Sequence, residues 1–159
     1  LFFIKILIMQ TITFENINYI IYTDGACLGN PGNGGWAAII IEPSGEREIV
    51  GCEESTTNNR MELKAVIEAL KEIEVNSQIS LFSDSKYVID GITKWIKSWK
   101  MNNWKTTSKK EIKNLDLWMD LDELTSKFSI SWNWVKGHST NEYNNKVDRL
   151  AREEAEKIN

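Results

Sequence analysis

The order of the predicted strands and helices constrains this chain more than any other feature of its sequence. Three segments rich in β-branched and aromatic residues follow one another, with only short turns containing glycine and proline between them. Helical patterns, with apolar residues three and four apart, then alternate with two further strand-like segments. The predicted strands are residues 19–24, 35–42, 46–53, 79–83 and 129–135, and the predicted helices are 59–74, 85–91, 94–101, 114–126 and 143–157. A three-strand meander followed by helical crossovers predicts an α/β fold with one mixed sheet, three strands antiparallel and two parallel, flanked by helices.

The length and charge of the chain fit a single globular domain. Of its 159 residues, 42% are hydrophobic and 26% charged, a balance that excludes a disordered tail, a collagen-like fibre and a coiled coil. The net charge of −4 argues weakly against a protein that coats nucleic acid, although a local basic patch overrides the total. Two cysteines provide no disulfide framework, and reduced thiols predict a cytoplasmic protein.

The first nine residues are nearly all apolar. A bilayer-spanning helix needs about 20 residues, and this stretch lacks the basic start and the small-residue cleavage site of a signal peptide. We therefore expect residues 1–17 to be an N-terminal extension or an added strand. Residues 18–159 are expected to form one domain, monomeric and without membrane contact.

Four acidic residues from four separate elements are predicted to meet. Asp24 and Asp84 close the first and fourth strands, so both point at the same edge of the sheet. Glu62 lies in the first turn of one helix and Asp148 in the first half of the last. Converging carboxylates repel unless they are protonated or metal-bound, and oxygen ligands of this kind suit Mg²⁺ or Mn²⁺. Taken singly, each acid is equally well explained as a turn, capping or solvated residue.

Five local motifs surround these acids in a fixed order: YTDGACLGNPG at 22–32, TTNNRMEL at 56–63, SDSKYV at 83–88, WVKGHS at 134–139 and DRLAR at 148–152. Together they resemble type-1 ribonuclease H of the bacterial kind with a basic protrusion, over roughly residues 18–157. The resemblance implies the ribonuclease H-like fold. It also implies endonucleolytic cleavage of the RNA strand of RNA–DNA hybrids with two Mg²⁺ ions, leaving 5′-phosphate and 3′-hydroxyl ends.

The resemblance also assigns roles to the catalytic residues. The family's four metal-binding acids match Asp24, Glu62, Asp84 and Asp148, with Asp24 expected to contact both ions. His138, the chain's single histidine, matches the residue that shuttles protons and helps the product leave, and it is not a metal ligand. A lone histidine outside such a motif is more often an ordinary surface residue.

Further positions match the family's contacts with the two strands of the hybrid. The residues matched to contacts with the RNA strand are Cys27, Gly29, Asn30, Asn58 and Asn59. Thr57 and Asn114 match a pocket for a DNA phosphate, but Ser55 replaces the arginine that completes it in relatives. Lys86 stands where relatives carry Gln or Met and adds charge beside the substrate groove. Turn and capping chemistry explains several of these residues equally well.

A strongly basic segment covers residues 94–113, with seven lysines against one acid. Trp95 and Trp99 lie four residues apart among these lysines, on one helix face. With Lys97 and Lys100 they predict a surface that follows the DNA backbone, the family's basic protrusion. The alternative is a helical hairpin with the tryptophans in a small core of its own and the lysines outside.

Two other functions stay open at this point. A non-catalytic hybrid-binding module predicts the loss of at least one acid, and all four are present. The nuclease domain of a reverse transcriptase is the other, although many retroviral versions lack the basic segment.

Overall fold

The computed structural model describes residues 18–158, so the predicted extension at 1–17 lies outside the described residues. The strands are β1 (Asn18–Leu28), β2 (Gly32–Glu42), β3 (Gly45–Thr56), β4 (Gln78–Ser83) and β5 (Ser129–Trp134). The helices are α1 (Asn58–Lys71), α2 (Lys86–Asp90), α3 (Ile96–Met101), α4 (Leu115–Thr125) and α5 (Glu142–Glu156), and a π-helical stretch, Gly91–Trp95, joins α2 to α3. The order of elements agrees with the order predicted from the sequence.

One five-stranded sheet with the strand order β3-β2-β1-β4-β5 forms the centre of the molecule. The pairs β1–β2 and β2–β3 are antiparallel, whereas β1–β4 and β4–β5 are parallel. This confirms the predicted mixed sheet. The parallel neighbours β1 and β4 are paired as far as Thr23 and Ser83, where β4 ends.

Strand β1 is longer than predicted, since Gly25 does not end it. The strand continues to Leu28 and remains paired with β2 over this stretch. Glycine is required at this position because a Cβ on Gly25 would collide with the backbone nitrogen of Glu62 on α1. Asp24 therefore does not close the strand; it follows the last residue of β1 that pairs with β4.

Helices cover both faces of the sheet. The larger core lies against α1 and α4, and Trp118 at its centre is fully buried. On the opposite face α5 packs on β2, with Val147 and Ala151 against Ala37 and Ile39. Over residues 18–158, no helix is both long enough and apolar enough to cross a membrane.

Candidate active site

Three of the four predicted acids meet where the pairing of β1 with β4 ends. Asp24, Glu62 and Asp84 each offer a carboxylate oxygen, and these oxygens lie within 4.8 Å of one another. Asp24 is 3% exposed and Glu62 5% exposed, while Asp84 is partly buried. Three acids this close and this deep need either protons or a cation.

The fold positions each member of this acidic triad through a different element. Asp24 and Asp84 directly follow the paired residues Thr23 and Ser83, which places Asp24 in β1 and Asp84 just past the end of β4 at the same level. Asp24 is further fixed because its Oδ1 accepts a hydrogen bond of 2.9 Å from the backbone N–H of Gly25. Glu62 is delivered by the first turns of α1, which approach β1 closely where Gly25 leaves room.

Burial makes the negative charges of the triad costly. It raises the pKa of Asp24 to about 8, and the charges of Asp84 and Asp148 add to the rise. Burial also raises the pKa of Glu62 well above its usual range, with the charge of Asp24 as the next cause. The pKa of Asp84 is raised too, first by burial and then by the charge of Asp148.

The chemistry of the triad fits a divalent cation. The Oε2 atom of Glu62 is buried and has no hydrogen-bond partner within residues 18–158. Three carboxylates without a thiol or an imidazole among them form the kind of ligand set that a hard cation such as Mg²⁺ or Mn²⁺ prefers. A bound cation would replace the proton that burial otherwise favours.

Asp148 lies near the triad but outside it. Its charge raises the pKa of Asp24 and of Asp84, so the carboxylate is within electrostatic reach of both. On α5 it pairs with Arg152, with 3.0 Å between Oδ2 and Nη2. Of the four acids predicted to converge, three have carboxylate oxygens within 4.8 Å of one another, and Asp148 is not part of that set.

Asn144 is a site residue that the sequence analysis missed. It is 1% exposed, its side chain lowers the pKa of Asp84, and its amide has no hydrogen bond of normal geometry to a described residue. The available signal is its spacing, because Asn144 and Asp148 are four residues apart and share a face of α5.

His138 lies in an exposed turn after β5, with a left-handed φ of 53°. The turn runs against the triad, since a Cβ built on Gly137 would lie 2.9 Å from Oδ2 of Asp84. The charge of His138 lowers the pKa of Asp84, which places the imidazole near this acid. The histidine therefore borders the site without belonging to its ligand set.

The residues predicted to contact the DNA phosphate do form a pocket. It has a volume of about 390 Å³ and is lined by Asn30, Thr57, Asn59, Lys113 and Asn114. At this pocket, Asn114 accepts a 3.3 Å hydrogen bond from Arg60 and donates one of 3.0 Å to the hydroxyl of Tyr87.

Arg60 does not replace the arginine missing at Ser55. Its guanidinium makes two hydrogen bonds, of 3.0 and 2.8 Å, to the carboxylate of Asp116. The cation that lines the pocket is instead Lys113.

The residues matched to RNA-strand contacts cluster where β1, β3 and α1 meet. The thiol of Cys27 donates to the carbonyl of Gly29 at 2.8 Å, and Oδ1 of Asn30 accepts from the backbone N–H of Asn58 at 3.1 Å. Gly29, Asn30 and Asn59 are exposed. The structure thus groups these residues around one surface turn, and two of them, Asn30 and Asn59, also line the pocket that contains Thr57.

The basic segment divides into exposed and packed members. Trp95 is 37% exposed, whereas Trp99 is partly buried and packs edge-on to Trp118, with 5.4 Å between ring centroids. Lys97 is exposed and has no ion pair with a described residue, whereas Lys100 lies 3.2 Å from a carboxylate oxygen of Asp122. The small-core alternative therefore describes Trp99, whereas Trp95 and both lysines are exposed and only Lys100 of the two lysines is paired with a described acid.

The chain is similar to known proteins in sequence and in fold. The family model for RNase H matches residues 16–156. The chain is 56% identical over 133 residues to the ribonuclease H of Wolbachia pipientis wMel, covering 84% of this chain and 92% of that protein. It is 56% identical over 138 residues to the ribonuclease H of Ehrlichia canis (strain Jake), covering 87% and 94%.

Two solved structures give the same picture of the fold. The crystal structure of LC9-RNase H1, described as a type 1 RNase H with the type 2 active-site motif, aligns with a TM-score of 0.80 and 31% identity, covering 89% of this chain and 73% of that one. The structure of LC11-RNase H1 in complex with RNA/DNA hybrid aligns with a TM-score of 0.66 over 87% of this chain and 97% of that one. At 22% identity, the second likeness concerns the fold alone.

Proposed function

The chain belongs to the RNase H family and is a ribonuclease H, and we propose that it cleaves the RNA strand of RNA–DNA hybrids endonucleolytically with two Mg²⁺ ions, leaving 5′-phosphate and 3′-hydroxyl ends. Mn²⁺ is the expected substitute. The observation that carries the metal assignment is the triad of Asp24, Glu62 and Asp84, whose carboxylate oxygens lie within 4.8 Å of one another. A monomeric, cytoplasmic protein stays a prediction from the sequence.

The four acids would together hold the ions. Asp24, Glu62 and Asp84 would bind the cations directly, and Asp148 would complete the set from α5. When bound, divalent ions stabilise the charge that develops on a phosphodiester and make water a better nucleophile. Asn144, whose buried side chain lowers the pKa of Asp84, would orient that carboxylate.

His138 would move a proton at the edge of the site. It is exposed to solvent, close to Asp84 and outside the ligand set. We infer that it passes a proton to solvent and helps the cleaved strand leave.

Two surfaces would hold the hybrid. The turn that contains Cys27, Gly29 and Asn30 offers short polar groups and backbone, which suit the shallow minor groove where 2′-hydroxyls mark the RNA strand. The pocket of Thr57 and Asn114 would take a DNA phosphate, with Lys113 supplying charge. Asn58 and Asn59 remain predicted RNA contacts and Trp99 a predicted DNA contact.

Neutralising Lys97 is expected to weaken the salt dependence of hybrid binding. Each phosphate contact contributes roughly 0.9 to the slope of log affinity against log salt. Lys97→Gln should therefore lower the magnitude of the slope by about one contact, measured by fluorescence anisotropy at several salt concentrations. Lys100→Gln is the matched variant, and its effect should be smaller because Asp122 already pairs with Lys100. Equal slopes for Lys97→Gln and the wild type would remove Lys97 from the interface.

Gly137→Ala is expected to weaken divalent-cation binding. The added methyl group would lie 2.9 Å from Oδ2 of Asp84 and would push this carboxylate out of place. Displacing a metal ligand through its neighbours typically costs about 10–100-fold in affinity. Titration calorimetry with Mn²⁺ measures the effect, and circular dichroism checks that the variant is folded. Wild-type affinity in the folded variant would mean that the turn does not constrain Asp84.

The experiment that tests the proposed function is incubation with labelled RNA–DNA, RNA–RNA and DNA–DNA duplexes, with Mg²⁺ and with chelator. We expect internal cuts only in the RNA of the hybrid, only with Mg²⁺, and 5′ ends that lose a phosphate on treatment with phosphatase. Tight hybrid binding without cleavage would instead support a non-catalytic binding module. Cleavage in chelator would overturn the metal assignment.

A further inference from the structure

A groove crosses the sheet at the end away from the acidic triad. It has a volume of about 580 Å³ and is lined by the first three residues of β1, β4 and β5, at 18–20, 78–80 and 129–131. The groove contains the first residues paired between β1 and β4, whereas the triad follows the last. We propose that the apolar N-terminal segment of this chain, residues 1–9, packs into this groove and covers it.

The groove continues the sheet face on which α5 packs. Ile20 pairs with Ser80, and Ser80 pairs with Ser131, so these three side chains point to one face of the sheet. Tyr22, two residues further along β1, points the same way and packs in the apolar cluster under α5. Within residues 18–158, the strand residues of that cluster come from β1 and β2 alone. The apolar side chains of α5 therefore do not extend over the start of β4 and β5.

The lining of the groove suits an apolar occupant. Ile20 is 41% exposed although β1 is the middle strand of the sheet, and Ile79 and Ile130 line the groove beside it. None of the nine lining residues carries a charged side chain. A surface without lysine or arginine does not attract the phosphates of a nucleic acid. An apolar segment, in contrast, gains free energy by removing Ile20 and its own side chains from water.

The chain carries a segment of this chemistry next to the groove. Residues 1–9 contain eight apolar side chains and a single charged one, Lys5. Asn18 lines the groove, so the residues before it join the sheet at the rim of the groove. Residues 10–17 reach up to about 26 Å when extended, whereas the distance from β1 across β4 to β5 is about 10 Å. The attached segment also outcompetes a free partner, because tethering gives it an effective concentration on the order of millimolar.

The first test is a double-mutant cycle on the melting temperature of the full chain in Mg²⁺. Ile20→Thr should lower the melting temperature by roughly 2–4 °C, because it weakens the contact with the segment. In a triple-serine variant of the segment, with Phe2→Ser, Phe3→Ser and Ile4→Ser, the added Ile20→Thr should have little effect. Val50→Thr is the matched control, 40% exposed in β3, and its effect should be the same in both chains. An Ile20→Thr effect that is the same in both chains would overturn the proposal.

Labelling of a thiol in the groove tests the contact without relying on stability. Ser131 is exposed within residues 18–158, so the variant Ser131→Cys reacts quickly with N-ethylmaleimide unless the segment covers it. We expect labelling at position 131, followed by peptide mass spectrometry, to be about tenfold slower with the native segment than with the triple-serine segment. Cys52, exposed in β3, is the internal reference and should label equally in both chains. Equal rates at position 131 would contradict the proposal, and protection that grows with protein concentration would assign the groove to a second copy of the chain instead.

Discussion

Asp24→Asn is expected to abolish hybrid cleavage and, in the same protein, to raise the melting temperature measured in chelator. Cleavage should fall by about 10³-fold or more, at the upper end of losses from removing one electrostatic stabiliser. Stability should rise because the variant no longer holds a buried carboxylate against Glu62 and Asp84. We expect a gain on the order of 2 kcal/mol, or roughly 4–8 °C for a domain of this size.

The stability gain should depend on pH. The pKa of Asp24 is raised from 3.8 to about 8 in the folded protein, so the folded state binds this proton more tightly than the unfolded state. The metal-free wild type should therefore lose stability as the pH rises from about 4 to about 8, and Asp24→Asn should flatten that decline. Calorimetric melting in chelator across this range measures both effects.

Asp116→Asn is the matched control for this prediction. It also removes one carboxylate, but hydrogen bonding to Arg60 lowers the pKa of Asp116, so its charge stabilises the folded state. The control should melt at a lower temperature than the wild type, or at the same one. A melting temperature in Asp24→Asn that is unchanged or lowered would mean that the acids do not strain the metal-free fold.

His138→Ala is expected to slow cleavage by about 10²-fold while leaving divalent-cation affinity unchanged. The loss corresponds to the usual contribution of one general acid–base group. Affinity should persist because the imidazole borders the triad without entering its ligand set. Single-turnover cleavage and Mn²⁺ titration measure the two quantities.

The backbone at His138 calls for a second variant. Its φ of 53° is unfavourable for alanine but tolerated by asparagine, so His138→Asn removes the imidazole with little strain. Both variants should show the same loss. A full rate in His138→Asn would assign the alanine effect to the turn, and equal losses of rate and affinity would make the residue a ligand.

The order of elements was readable from the sequence because strands and helices carry local periodic signals. The end of β1 could not be predicted in this way, because Gly25 taken by itself is typical of a turn. Its meaning comes from the close approach of α1, 37 positions further along at Glu62, and such a long-range contact leaves no local pattern. The family resemblance and the enzyme class are confirmed, while the roles of single site residues stay predictions.

Packing also distinguishes lysines and tryptophans that look equivalent in the sequence. Lys97 and Lys100 carry the same charge in the same basic segment, but of the two only Lys100 forms an ion pair with Asp122 on α4. Trp95 and Trp99 share a helix face, but Trp118 covers Trp99. Asn144 escaped notice because an asparagine near a helix start is ordinarily a cap, and its burial depends on how α5 meets the sheet.

Titration calorimetry with Mg²⁺, on the wild type and on Asp24→Asn, tests most directly whether the buried acids hold divalent ions. We predict saturable binding by the wild type and its loss in Asp24→Asn. The exposed-acid variant Asp120→Asn should behave like the wild type. Binding of equal affinity and stoichiometry in Asp24→Asn and the wild type would place the cations elsewhere and contradict the account.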